Sequence, residues 1–126
     1  MALIVRAFPV SAGKEDAVLR FAESIGGERK DDATAFLRTF GVRRETWHLQ
    51  RTEQGTQVIV VTDVEDPPEM GQAYGAAQGS FERWFKDAVK ELSGVDPDTQ
   101  PLGPPTRTIF SWDVGNRRET FDAVAP

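Results

Sequence analysis

A chain of 126 residues makes one ordinary domain, and 39% hydrophobic with 28% charged residues describes a globular protein rather than a disordered one. The formal net charge of −5 argues against a sequence-independent nucleic-acid binder, and no apolar run reaches the length of a membrane span. The absence of cysteine excludes disulfides, thiolate metal sites and a cysteine nucleophile, so a cytoplasmic protein without nucleic-acid or membrane partners is expected.

Residues 2–8 are a short β-favouring run ended by Pro9, with Leu3, Val5 and Ala7 on one face and Ile4, Arg6 and Phe8 on the other. A helical pattern follows Ser11: Ala17, Val18, Phe21, Ala22 and Ile25, then Ala33, Phe36, Leu37 and Phe40 after Gly26-Gly27. It predicts one long helix over 12–39, weakened or kinked at two glycines that each cost about 1 kcal/mol against alanine. Two helices parted at the glycines are the alternative.

Residues 42–51 and 56–64 are two strands joined by Glu53-Gln54-Gly55, read as a three-residue hairpin loop with Gly55 in the left-handed position. That turn pairs Thr52 with Thr56, Gln50 with Val58, His48 with Val60 and Thr46 with Thr62. Trp47, Leu49, Ile59 and Val61 are then the face expected to meet the helices. Asp66-Pro67-Pro68-Glu69 carries the capping signals of the next helix, whose stripe is Met70, Ala73, Tyr74 and Ala77.

The clearest helix is Ser80–Ser93, with Phe81, Trp84, Phe85, Ala88, Val89 and Leu92 in one wide stripe. Ser80 is placed to cap it and Gly94 to end it, while Glu82, Arg83, Lys86, Asp87, Lys90 and Glu91 occupy the polar face. Residues 94–105 contain four prolines and read as an extended arm. Residues 107–113 read as a last strand, and the tail from 114 to 126 has no strong pattern.

The order of elements predicts an α+β fold, a ferredoxin-like βαββαβ single domain over 1–113. Its four-stranded antiparallel sheet has the order 4-1-3-2 with helices on one face. The second face, with Ile4, Phe8, Val58, Val60, Phe110 and Trp112, is too apolar to meet water. Two such faces closing in a two-fold homodimer would bury it.

The opening strand followed by Pro9-Val-Ser-Ala-Gly-Lys-Glu-Asp16 resembles the start of dimeric α+β-barrel proteins, the superfamily that includes antibiotic-biosynthesis-type monooxygenases. More narrowly, Gly41-Val-Arg-Arg-Glu45, Trp47-His-Leu-Gln50, Asp66-Pro67, Phe81-Glu-Arg-Trp-Phe-Lys86, Gly94-Val-Asp96 and Gly103-Pro104 are similar to a small bacterial family of this fold. The resemblance runs from Leu3 to Asp113. It implies a dimeric barrel that binds a small aromatic molecule or oxidises it without a cofactor. It brings no catalytic residues to transfer.

His48 is the only histidine and the side chain best suited to move a proton near neutral pH. On the second face it would join Arg6 and Arg44, to hold an anionic oxygen, and Phe110 and Trp112, to stack a ring. The plainer reading makes His48 and the arginines polar packing at a dimer interface, in a non-enzymatic interaction or regulatory module. Trp47 and Trp84 are core residues on this reading. Glu65-Asp66 and Asp31-Asp32 lack the convergent oxygens of a metal site, and no cofactor fingerprint is present.

Overall fold

The structure is a computed structural model that describes residues 2–66, 73, 74, 76–98, 106–112 and 114. Its elements are β1 (Ala2–Pro9), α1 (Glu15–Gly26), α2 (Lys30–Thr39), β2 (Val42–Thr52), β3 (Gly55–Val64) and α3 (Ser80–Ser93). Three antiparallel strands pair in the order β1-β3-β2, and the helices cover one face, an α+β arrangement consistent with the ferredoxin-like class. No helix among the described residues is long and apolar enough to cross a membrane.

The expected long helix is two. After α1 the chain turns through Gly27 (φ −117°, ψ −101°), while the Arg29 amide returns to the Ser24 carbonyl at 2.9 Å. A Cβ at Gly27 would lie 2.9 Å from the Glu23 carbonyl oxygen, closer than side chains approach. The glycine pair therefore breaks the helix rather than bending it.

The hairpin corrects the expected register by one residue. Thr52 pairs with Gly55, Gln50 with Gln57, His48 with Ile59 and Thr46 with Val61. The loop has two residues, not three. Thr52 closes it, donating its hydroxyl to the Gly55 carbonyl at 2.9 Å and accepting the Gln54 amide at 3.2 Å. A one-residue slip exchanges the faces of a strand, so Val58, Val60 and Thr62, not Ile59 and Val61, join Trp47 and Leu49 beneath the helices.

The exchange propagates. Strand β1 pairs Phe8 with Val58, Arg6 with Val60 and Ile4 with Thr62, which brings those three side chains to the helical side. Leu3, Val5, Ala7, Ile59 and Val61 form the outer face instead, where Val5 remains 42% exposed.

Helix α3 lies as its stripe predicts. Phe85, Ala88, Val89 and Leu92 pack with Val18, Phe21, Trp47, Leu49, Val58 and Val60, and Gly94 ends the helix in the left-handed conformation (φ 78°). Gly79, not Ser80, occupies the N-cap. Lys86 departs from the expected polar face: it is fully buried.

The cap 67–69 and Met70 lie outside the described residues, although Ala73 and Tyr74 are helical and Tyr74 is buried. Most of the proline arm and the tail after 114 are also outside them. Residues 106–112 form no strand among the described residues. They pass the free edge of β1, where the Val5 amide donates to the Thr106 hydroxyl at 2.9 Å.

Candidate functional site

Between the sheet and the helices lies a cleft of about 260 Å³. Its apolar wall is largely aromatic: Phe8 and Trp47 from the sheet, Phe36 from α2 and Phe40 just past its end, Phe85 from α3, and the buried Tyr74. These rings support one another. Phe36 meets Phe40 edge-on at 4.9 Å between centroids and Tyr74 at 5.9 Å, while Phe8 stands edge-on to Trp47 at 5.7 Å.

Four polar side chains interrupt that wall: Arg6, Glu45, Thr62 and Tyr74. Strand alternation places Arg6 between Ile4 and Phe8, an inward position where an apolar residue would be ordinary. Glu45 and Trp47 are likewise two apart on β2, and Thr62 sits opposite Glu45 on β3. The carboxylate of Glu45 is held from both sides. It accepts the Trp47 indole N–H at 2.9 Å and the Thr62 hydroxyl at 3.1 Å. A carboxylate offers about four acceptor sites, so Glu45 can still receive a ligand donor.

Arg6 is the feature that structure alone does not account for. Its Nε is buried with no hydrogen-bond partner, and among the described residues no carboxylate approaches its guanidinium within ion-pair distance. Burial lowers its pKa, with the charges of Glu45 and Tyr74 opposing that shift. The same burial, reinforced by Glu45, raises the pKa of the Tyr74 phenol, which therefore stays protonated through the neutral range. A guanidinium whose Nε is buried without a partner is costly in an empty cleft and useful in an occupied one.

The far wall of the cleft includes Val95 and Pro97 from the turn after α3. Charges fasten that turn. Asp98 accepts the buried Lys86 ammonium at 3.0 Å and pairs with Arg83 at 2.8 Å, and Lys86 also donates to the Ala77 carbonyl at 2.9 Å. These hydrogen bonds, Lys86 first, hold the Asp98 carboxyl below the ordinary carboxylate range. The Lys86 ammonium lies 5.0 Å over the Tyr74 ring, so one buried lysine joins the Tyr74 segment, α3 and the turn.

The structure does not bring the sequence-selected residues together. Arg6 enters the cleft on the helical side of the sheet. His48 and Arg44 lie on exposed positions of β2, and His48 Nε2 is 2.9 Å from the Thr46 hydroxyl of the same outer face. Phe110 and Trp112 stack on each other at 6.4 Å between centroids, and each is 75% exposed. Glu45, Thr62 and Tyr74 join the cleft without standing out in the sequence, and Trp47, a core residue by its pattern, both lines the cleft and orients Glu45. The available signal was Arg6 itself, a charge inside an apolar alternation. Among the described residues no group of three or more potential ligand side chains could hold a metal ion.

A solved structure shares this architecture: the L-rhamnose mutarotase from Formosa agariphila superposes with a TM-score of 0.60 at 14% identity, covering 90% of this chain and 100% of that one. At that identity the likeness speaks to the α+β fold alone, and it carries no argument for monooxygenase-type chemistry. No protein-family model matches the sequence, and no curated protein sequence matches it.

Proposed function

We propose that the protein binds a small, largely aromatic molecule in the cleft between sheet and helices. The ligand places an acceptor oxygen on Arg6 and a donor hydroxyl on Glu45. The observation that carries this reading is the buried, partnerless Nε of Arg6 in an aromatic-walled cavity. Aromatic faces take a ring, the guanidinium takes a carbonyl or carboxylate oxygen, and the pre-oriented Glu45 carboxylate accepts a hydroxyl proton. The test is a thermal-shift and calorimetric panel of phenols and aromatic acids of one to three rings, on the parent and on Arg6→Met. Acids bearing an adjacent hydroxyl, such as salicylate, raise the parent melting temperature and leave the variant unmoved. A panel that stabilises neither protein, or both equally, overturns the reading.

A two-fold homodimer through the outer sheet face belongs to the same proposal. It is supported by the apolar Leu3, Val5, Ile59 and Val61 and by the exposed Phe110 and Trp112, which a second copy would cover. In that assembly residues 106–112 add a fourth strand beside β1, giving the order 4-1-3-2, and His48 and Arg44 become interface residues. Sedimentation showing a monomer at micromolar concentration would overturn it.

A further inference from the structure

A second cavity, of about 240 Å³, adjoins the first. Its own walls are Ala22, Ile25 and Gly26 of α1, Ala33 of α2 and Phe81 of α3, so it lies at the break between the two helices. Phe36, Leu37, Glu45, Trp47 and Phe85 line both cavities. Phe36 stands between them: its ring meets Phe40 and Tyr74 on the Arg6 side and Phe81, at 5.1 Å between centroids, on the other.

Resting on the reading that Arg6 anchors a ring, we infer that the ligand is elongated: a hydroxy-substituted aromatic head at Arg6 and Glu45, carrying a second apolar ring that reaches past Phe36 into the Ala22–Ala33 lobe. Three observations support the extension. Each lobe alone exceeds the ~150 Å³ cavity that suffices for benzene, so a single ring leaves one lobe empty. The second lobe has no polar side chain beyond the Glu45 it shares, so it selects a hydrocarbon rather than another polar head. Two of the three residues of its α1 wall, Ala22 and Gly26, are small, which leaves room beside Ile25 for a ring. Phe36 is thereby a specificity-determining residue, the divider that sets where the head ends and the tail begins.

The test compares salicylate with 5-phenylsalicylate by calorimetry on the full chain, in the parent, Ala22→Trp and Arg6→Met proteins, with circular dichroism as the folding check. Burial of the added ring is expected to tighten binding to the parent at least ten-fold. Ala22→Trp, which fills the second lobe from an exposed helix position, weakens 5-phenylsalicylate far more than salicylate and brings the two to within two-fold of each other. If Ala22→Trp fails to fold, Ala22→Phe makes the same comparison. Equal affinities for the two probes in the parent, or equal losses of both in the filled variant, overturn the extension while leaving the Arg6 anchor standing. Binding of both probes that survives Arg6→Met overturns the anchor, and the extension with it.

Discussion

Arg6 sits where the sheet expects a hydrocarbon, and its cost can be measured. Replacing the half-buried Arg6 with an unbranched apolar side chain removes the desolvation penalty of one buried, unsatisfied donor, about 1–3 kcal/mol. Arg6→Met should therefore raise the free-energy change of urea unfolding by about 1 kcal/mol in the absence of ligand. A fall in stability would show that Arg6 is held by contacts rather than spared for a ligand. Phe21 is the opposite case: buried, and tilted against Trp47, Trp84 and Phe85 at 5.9, 5.1 and 5.5 Å between centroids. Phe21→Ala should cost about 3–5 kcal/mol, because a hole at the meeting of α1, α3 and the sheet cannot collapse without moving all three. Tyr74 adds an alkaline signature. Its raised folded pKa means that its contribution is complete below about pH 10, the unfolded value, and is lost as pH rises above it. Tyr74→Phe should remove that alkaline loss in a pH-dependent melting series.

At the level of elements, the charged clasp on the turn after α3 is the sharpest object. Removing Asp98 takes a carboxylate 3.0 Å away from the fully buried Lys86, whereas Lys86→Met leaves Asp98 paired with Arg83. Asp98→Ala should thus melt well below Lys86→Met. The pH dependence has a definite sign. Asp98 titrates below its unfolded value, so its stabilisation is present above about pH 4 and fades as pH falls through the lower folded value. The gap between the parent and Asp98→Asn should close in that acid range. Glu15, lowered chiefly by its hydrogen bond from Arg51, fades in the same direction. Strands β1 to β3 and helix α3 were legible from periodicity, because apolar stripes and alternation are local properties of the chain, whereas the alternation of 107–113 makes no strand among the described residues. The cleft was not, for two physical reasons. Gly55 supplies a positive φ (133°) in either reading of the hairpin, so the sequence could not show that it joins the ladder rather than the loop. That single residue exchanged the faces of β3 and β1, and it carried Arg6 from the expected outer cluster with His48 to the helical side. Lys86 was hidden for another reason: a lysine in a polar stripe reads as solvated unless one knows that Asp98, twelve residues downstream, folds back to meet it.

For the whole molecule, one covered and one open sheet face decide the state of assembly. Val61 lies on the outer face, away from the helices, and its exchange for a charge disturbs no helical contact. Val61→Lys should convert the proposed dimer to a monomer in sedimentation while leaving salicylate affinity within about two-fold, since the cleft is built within one chain. A monomer that lost the ligand would place part of the cleft across the interface. On the proposed function, the orphaned Nε of Arg6 would tie the protein's survival to its ligand. A molecule that binds only the folded form stabilises it by about 2.7 kcal/mol at a hundred times its dissociation constant. Protease digestion samples the opened fraction of molecules. The unliganded chain, with that Nε unsatisfied, would then be degraded first, and its standing quantity in a cell would rise and fall with the supply of the molecule it binds.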